Sequence, residues 1–468
     1  MMNDEIWKLD ATAQAELVAA GEVTSRELVE LALDRIERLD VELGSVVFVD
    51  GERALEAASR PRSGPFAGVP FVAKDLLPMP GLRCAMGCRL LAGHVPTEPT
   101  PYTDALDATG LVTLGKAATS ELGLLGSTET ALEGITRNPW SPLHSAGGSS
   151  GGSVAAVAAG LVPFAHASDG GGSIRGPASI AGLFGFMPSR GRVLPAMPGH
   201  HEMAELLIEH AVTRSVRDSA RLLAATERRE GGVHPPVGVV DRPLRQSLRI
   251  GVCSRTVMGA PAPAEGRAAL ERAVALCTEL GHEVEEACLP PCGSAVSEAF
   301  FTHAGAGVAM LFDMLAPMLG RPVREGDVEP FTWELVTWYR AFPGDPMSRA
   351  RAQIAEVTAQ MGALLERWDV VLSPTIGVPP PELGFLAPSL PRETIVSRTE
   401  ALAGYTAPFN MVGAPAMSVP LHVTEAGLPV GCQLGAAPGK DALLLELAYQ
   451  LEEAAPWASR WPSFAGAT

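Results

Sequence analysis

Residues 145–192 read SAGGSSGGSVAAVAAGLVPFAHASDGGGSIRGPASIAGLFGFMPSRGR, two glycine–serine clusters around an alanine-rich segment and a short apolar run. Gly147, Gly148, Gly151 and Gly152 bracket Ser149 and Ser150, and Gly170, Gly171 and Gly172 lead into Ser173. Glycines give the backbone dihedrals that other residues avoid, so each cluster can turn amide N–H groups toward an anion. Ser153–Gly160 has the composition of a tightly packed helix ending at a glycine. Leu161–Ala167 reads as a short buried strand, and Gly176-Pro177-Ala178-Ser179 opens another helix with proline in its first turn. A serine between a glycine nest and a helix start is placed as a nucleophile, because neighbouring N–H groups and the helix dipole favour an oxyanion. The alternative is a glycine-rich turn with incidental serines.

GGSSGGSVAAVAAG, SDGGGSIRGPAS and GLFGFMPSRGR together resemble the signature block of the amidase signature family of serine hydrolases. The resemblance implies a Ser–cis-Ser–Lys triad: Ser173 as nucleophile, Ser149 following a cis peptide bond, and Lys74 supplied by the matching segment Pro70–Leu76. It places the oxyanion hole at the amides of Gly170, Gly171 and Gly172, with Asp169, Arg175 and Ser150 in supporting roles. APFNMVGAPAMSVPL and GLPVGCQLGA look like the family's closing strands, and the region from about 195 to 365 matches least. The implied fold is α/β, one large domain spanning 1–468 with a mixed β-sheet core covered by helices on both faces. Gly170, Gly176 and Met187 depart from residues common in the family. Gly170 and Gly176 are expected to leave room on the acyl side of the cleft, which makes Gly176 a substrate-binding position; alternatively, Gly176 only lets its helix approach the sheet.

Composition narrows the partners. The 468 residues carry a formal charge of −17, with a pI near 5.1. That balance offers no basic footprint for nucleic acid or an anionic membrane surface and suits a small neutral substrate. Seven cysteines, an odd number, imply reduced thiols and a cytoplasmic setting. Cys84-x3-Cys88 and Cys288-x3-Cys292 have no nearby histidine, and His200, His201 and His210 have no ligand spacing to acidic partners, so no metal and no cofactor is expected. Met1–Asp10 lacks an apolar core for a secretory signal, and the apolar run Val154–Ala167 is too short for a span and is broken by Pro163 and His166. A soluble protein is expected, with a homodimer left open.

Two motifs mislead. Gly110–Lys116 approaches a phosphate-binding loop, but Ala117 stands where a magnesium-binding hydroxyl belongs. Gly147-x-Ser149-x-Gly151 matches a nucleophile elbow, yet Asn138–Pro142 upstream reads as loop where that motif needs a strand.

Elsewhere, Thr24-x-x-Glu27 is a capping box ahead of helically spaced Leu28, Leu31, Ala32, Ile36 and Leu39. Ser45–Val49 and Pro70–Lys74 read as strands; if the latter is internal, Lys74 is desolvated and its pKa falls, which suits a base. Leu248–Cys253, Ala264–Leu280 and His282–Ala287 read as a βαβ unit. Ser294–Trp368 is helical, and its methionines and aromatics either fill core or wall an apolar pocket. Val370–Pro374 is a buried strand, Ala416–Leu421 and Leu428–Leu434 form a hairpin, and Asp441–Glu453 is an amphipathic helix.

The expected function is a cofactor-free serine hydrolase that cleaves carbon–nitrogen acyl bonds. The motif variants look most like the family's non-peptide amidases, including nylon-oligomer and urethane-cleaving members, which implies amides or carbamates of small aryl or apolar character. Two other readings are a glutamine-hydrolysing subunit of a tRNA amidotransferase and a catalytically silent interaction protein; intact Ser173, Ser149 and Lys74 argue against the second.

Overall fold

Phe71, Val72 and Ala73 send side chains to alternate faces of their strand, and the computed structural model, which describes residues 5–196 and 205–466, covers both faces. Phe71 and Ala73 join an apolar cluster with Phe164, Leu222 and Leu444. Val72 joins another with Ile36, Val154 and Ala165. In chain order the strands are β1 (Val46–Val49), β2 (Pro70–Lys74), β3 (Val112–Ala117), β4 (Glu129–Thr130), β5 (Gly134–Ile135), β6 (Arg137–Asn138), β7 (Ser141–Ser145), β8 (Phe164–Asp169), β9 (Phe184–Met187), β10 (Ile208–Thr213), β11 (Arg249–Cys253), β12 (Glu283–Ala287), β13 (Val370–Pro374), β14 (Ala416–Val423) and β15 (Pro429–Gly435). Eleven of them form one sheet in the order β1-β3-β2-β8-β10-β9-β14-β15-β13-β11-β12. The sheet is mixed: β2 runs parallel to β3 and β8, β11 parallel to β12 and β13, and β8 to β15 pair antiparallel through β10, β9 and β14. The architecture is a single large α/β domain, as expected.

The βαβ unit forms as β11, the Ala264–Glu279 helix and β12, with Ile250 opposite Val284. The β14–β15 hairpin closes through a turn in which Gly427 N–H donates to the Thr424 carbonyl at 2.9 Å. Two boundaries differ from the sequence reading. The strand expected from Leu161 begins at Phe164, since Pro163 has no N–H to offer a ladder, and it runs on to Asp169. Asn138–Pro142, read as loop, contributes to the β6–β7 ribbon; a strand therefore does precede Gly147, but it lies outside the main sheet.

The helices Gly293–Leu319, Pro330–Arg340 and Pro346–Arg367 make up the later part of the least family-like region. Phe301, Phe312, Phe331 and Leu335 pack there against Leu124 and Leu125 of the segment after β3. The Gly293–Leu319 helix is long and apolar enough to cross a bilayer, yet 61% of its most apolar window is buried inside the domain. His200 and His201 lie outside the described residues; His210 is buried on β10 and bonded to the Ser219 hydroxyl.

Candidate active site

Three segments meet at the carboxyl ends of β2 and β8. Lys74 is the last residue of β2 and Asp169 the last of β8, while Ser149 lies just ahead of the Gly151–Ala158 helix that packs on both strands. That helix sits close because it begins with glycines: a Cβ on Gly152 would fall 2.2 Å from the Ala118 amide nitrogen. The Gly148–Ser149 peptide is cis, as the resemblance implied.

Lys74 is wholly buried, its Nζ 2.8 Å from Ser149 Oγ and 3.1 Å from Ser168 Oγ. Burial pulls its pKa from 10.5 to about 7, against the opposing charges of Glu209 and Asp169. A lysine in that range is half neutral at neutral pH, and neutral Nζ can accept the Ser149 hydroxyl proton. Lys116, buried on adjacent β3, has a different setting: its Nζ lies 2.6 Å from the Leu77 carbonyl and 3.4 Å from the Asp75 carboxylate. The phosphate-loop resemblance around it is thus a strand with an internal ion pair.

The Gly170–Ser173 turn is held by one buried carboxylate. Asp169 accepts from the Gly172 N–H at 2.6 Å and the Ile174 N–H at 3.1 Å, and it pairs with Arg175 Nε at 3.0 Å. Burial pushes its pKa up, but the Arg175 charge and the hydrogen bonds from Arg175, Asn410 and Ile174 outweigh that and hold it below the usual carboxylate range. Arg175 also donates to Asn410 Oδ1 at 2.6 Å and Gln433 Oε1 at 2.7 Å, so its fully buried guanidinium is matched on every side. Removing one member would strand the rest, a loss of about 3–5 kcal/mol.

The bond to Asp169 takes Gly172 out of the expected oxyanion donors. The amides of Gly170, Gly171 and Ser173 have no partner among the described residues, so of the three expected donors only Gly172 is taken. Gly172 has φ +134°, and a Cβ there would sit 2.4 Å from Thr406 Oγ1, so the turn admits only glycine. Thr406 in turn donates its hydroxyl to the Gly171 carbonyl at 2.7 Å. Ser150 is buried with Oγ 3.3 Å from the Ser168 carbonyl, which makes it a tie between helix and strand.

Gly171, Gly172, Ser173 and Gly176 form part of the wall of a cavity of about 90 Å³. Val257, Met258, Val296, Phe300 and Phe301, all from the region that matched the family least, also line it. That region's aromatics divide: Phe300 lines the cleft, Phe301 lines it while packing edge-on against Phe331, and Phe312, Phe331 and Trp333 pack among helices. Gly176 lines the cavity, and a Cβ there would meet only Ile376 Cγ2, at 3.7 Å; it is not a packing device. Gly170 is buried and is not among the cavity-lining residues, so the extra room comes from Gly176.

Ser168, Thr406, Asn410 and Gln433 went unrecognised in the sequence. Asn410 and Gln433 carried a signal, each a polar residue inside an otherwise apolar segment, which is the mark of a buried network. Thr406 carried none. Among the described residues no three histidines, cysteines or acids cluster as metal ligands.

Comparisons with known proteins agree with this geometry. The profile of the Amidase family matches residues 27–445. A 6-aminohexanoate-cyclic-dimer hydrolase of Pseudomonas sp. (strain NK87) is 35% identical over 488 residues, covering 99% of this chain and 98% of that protein. A putative amidase AmiC of Mycobacterium tuberculosis (strain ATCC 25618 / H37Rv) is 36% identical, covering 98% of this chain and 97% of that one. The structure of a 6-aminohexanoate cyclic dimer hydrolase complexed with substrate superposes with a TM-score of 0.91 at 33% identity, over 98% of this chain and 100% of that one. That of a bacterial aryl acylamidase gives 0.87 at 26%, over 98% and 99%. With the family profile spanning most of its length and relatives at least 35% identical along nearly all of it, the chain belongs to the amidase signature family of hydrolases acting on carbon–nitrogen bonds.

Proposed function

We propose that the protein is an amidase or urethanase for small non-peptide amides and carbamates of aryl or apolar character, working through an acyl-enzyme. The observation that carries the reading is Lys74: a buried lysine with its pKa near 7, bonded to Ser149, behind a largely apolar cleft that Ser173 lines. Ser173 Oγ attacks the carbonyl carbon while its proton passes to Ser149 and the Ser149 proton to neutral Lys74. The carbonyl oxygen, now an oxyanion, lies toward the free amides of Gly171 and Ser173. As the tetrahedral species collapses, the C–N bond breaks and the relay returns its proton to the leaving nitrogen. Water then adds to the acyl-Ser173 ester by the same relay and releases the acid, or from a urethane the carbonic acid half-ester, which loses carbon dioxide to leave the alcohol. The relatives named for a cyclic amide dimer and for aryl amides support a non-peptide substrate, and the apolar wall supports an aryl or aliphatic one.

The test is a panel of an anilide, an aryl carbamate, a cyclic lactam dimer, acetamide and glutamine. The anilide and carbamate are expected to give the highest kcat/KM. Ser173→Ala should remove turnover of every substrate, and Ser149→Ala and Lys74→Ala should lower it by smaller factors. Full activity in Ser173→Ala, or glutamine as the best substrate, would overturn the reading.

A further inference from the structure

Most of the cavity wall is glycine or apolar side chain, and among the described residues that line it Glu400 is the one ionisable side chain. Glu400 sits in the last turn of the Arg392–Ala403 helix, and Ser297 Oγ lies 2.6 Å from its Oε1. Among the described residues no lysine, arginine or histidine pairs with it. Its neighbour Thr399 also lines the cavity, with a hydroxyl closed off from solvent and without a hydrogen-bond partner. The position relative to the nucleophile follows from the Gly293–Leu319 helix. Ser297 and Phe300 are three residues apart and so share a face. Phe300 covers the oxyanion turn, since a Cβ on Gly171 would lie 3.0 Å from its Cε2. Ser297, which holds the carboxylate, is therefore ~4.5 Å along that helix from the residue whose ring covers the reacting end.

A carboxylate with one neutral donor keeps a free oxygen, and an apolar wall gives it nothing to bond. A substrate nitrogen carrying hydrogens would supply a charge-assisted bond there; a substrate carboxylate would meet repulsion in a poorly screened space. We propose that Glu400, with Ser297 and Thr399, forms a specificity subsite that selects amides bearing a second nitrogen donor, an ammonium above all, at the end remote from the scissile bond, and rejects those ending in a carboxylate. The proposal rests on the amidase reading. A contact that merely ties the two helices together would give no ranking by substrate charge.

Acyl p-nitroanilides of equal chain length ending in ammonium, methyl or carboxylate test it, with a second series carrying the same ends on the amine side. In the wild type kcat/KM is expected to rank ammonium above methyl above carboxylate in at least one series. The outer pair should differ ~10–100-fold, as one hydrogen bond to a charged group would give. Glu400→Gln, which keeps the volume and the Ser297 bond, should pull the ammonium-to-carboxylate ratio toward one, and Glu400→Lys should invert it. No ranking in either wild-type series, or a ratio unchanged in Glu400→Gln, overturns the subsite. Should a variant not fold, the wild-type series alone decides. Failure of the amidase reading shows differently: the wild type would then not turn over even the methyl-ended anilide any faster than Ser173→Ala.

Discussion

In the proposed relay the chemistry turns on Lys74, because the same burial that makes it costly suits it to act as a base. Its ordinary pKa of 10.5 would leave almost no neutral amine at pH 7, while the value of about 7 leaves half. Only the neutral form accepts the relayed proton, so the sign is fixed: kcat/KM for a neutral anilide should rise about tenfold per pH unit below pH 6 and level off above pH 8. A pH–rate profile from 5 to 9 checks it. A rate that falls with rising pH across 6–8 would mean that protonated Lys74 acts. Gly176 is the second residue with a direct consequence. Because only Ile376 lies near a Cβ at that position, Gly176→Ile should fold and fill the cavity beside Ser173. The ratio of kcat/KM for a bulky anilide over a small one is expected to fall at least ~10-fold, the scale of one or two methylene-sized contacts; an unchanged ratio would show that substrate does not reach Gly176.

At the scale of elements, the cleft depends on how the segment after β3 meets the Pro330–Arg340 helix. Glu121 opens the segment whose Gly123–Gly126 line the cavity, and its carboxylate accepts the Glu329 N–H at 2.9 Å and the Thr332 hydroxyl. Glu329 itself accepts from the Ala131 N–H at 2.8 Å. Burial, then the nearby Glu121 charge, pushes Glu329 from 4.5 up to about 8. The unfolded chain loses that proton near 4.5 and the folded chain near 8, so between those values the native state holds the extra proton and stability falls as pH rises. The Tm of Glu329→Gln should therefore exceed that of the wild type by a gap that widens from pH 5 to pH 8 and then stays constant. Parallel Tm curves would show that Glu329 is already ionised at pH 5.

Across the whole molecule, the active cleft is a seam. Its lining joins the signature stretch between Gly147 and Ile180, the Gly123–Gly126 segment, the Gly293–Leu319 helix and the segment from Thr399 to Ala407. The same closure shields the thiols: of seven free cysteines only Cys288 is exposed, and burial pushes Cys84 and Cys292 up to about 11 and Cys253 and Cys277 to about 12. Titration with a chromogenic disulfide should find one fast thiol in the native protein and seven in denaturant. More than two fast thiols would contradict the closed packing around the sheet.

What the sequence by itself determined was whatever local chemistry writes into neighbouring residues. The glycine clusters, the alanine helix, the strand at Pro70–Lys74, the βαβ unit and the β14–β15 hairpin were legible because period, caps and turn residues are short-range. The cis peptide before Ser149 was legible through motifs that resemble a known family, and so was the Lys74–Ser149 contact. Only the tertiary structure decided what depends on distant segments meeting. Thr406 grips the Gly171 carbonyl from 235 residues away, and Arg175 is balanced by Asn410 and Gln433. Phe300 faces the cleft while Phe312 packs among helices, although both lie on one apolar helix. Helical periodicity marks a residue as inward; whether inward means core or cavity is set by the partner surface, and for Phe300 that surface is the Gly171 turn, more than a hundred residues earlier.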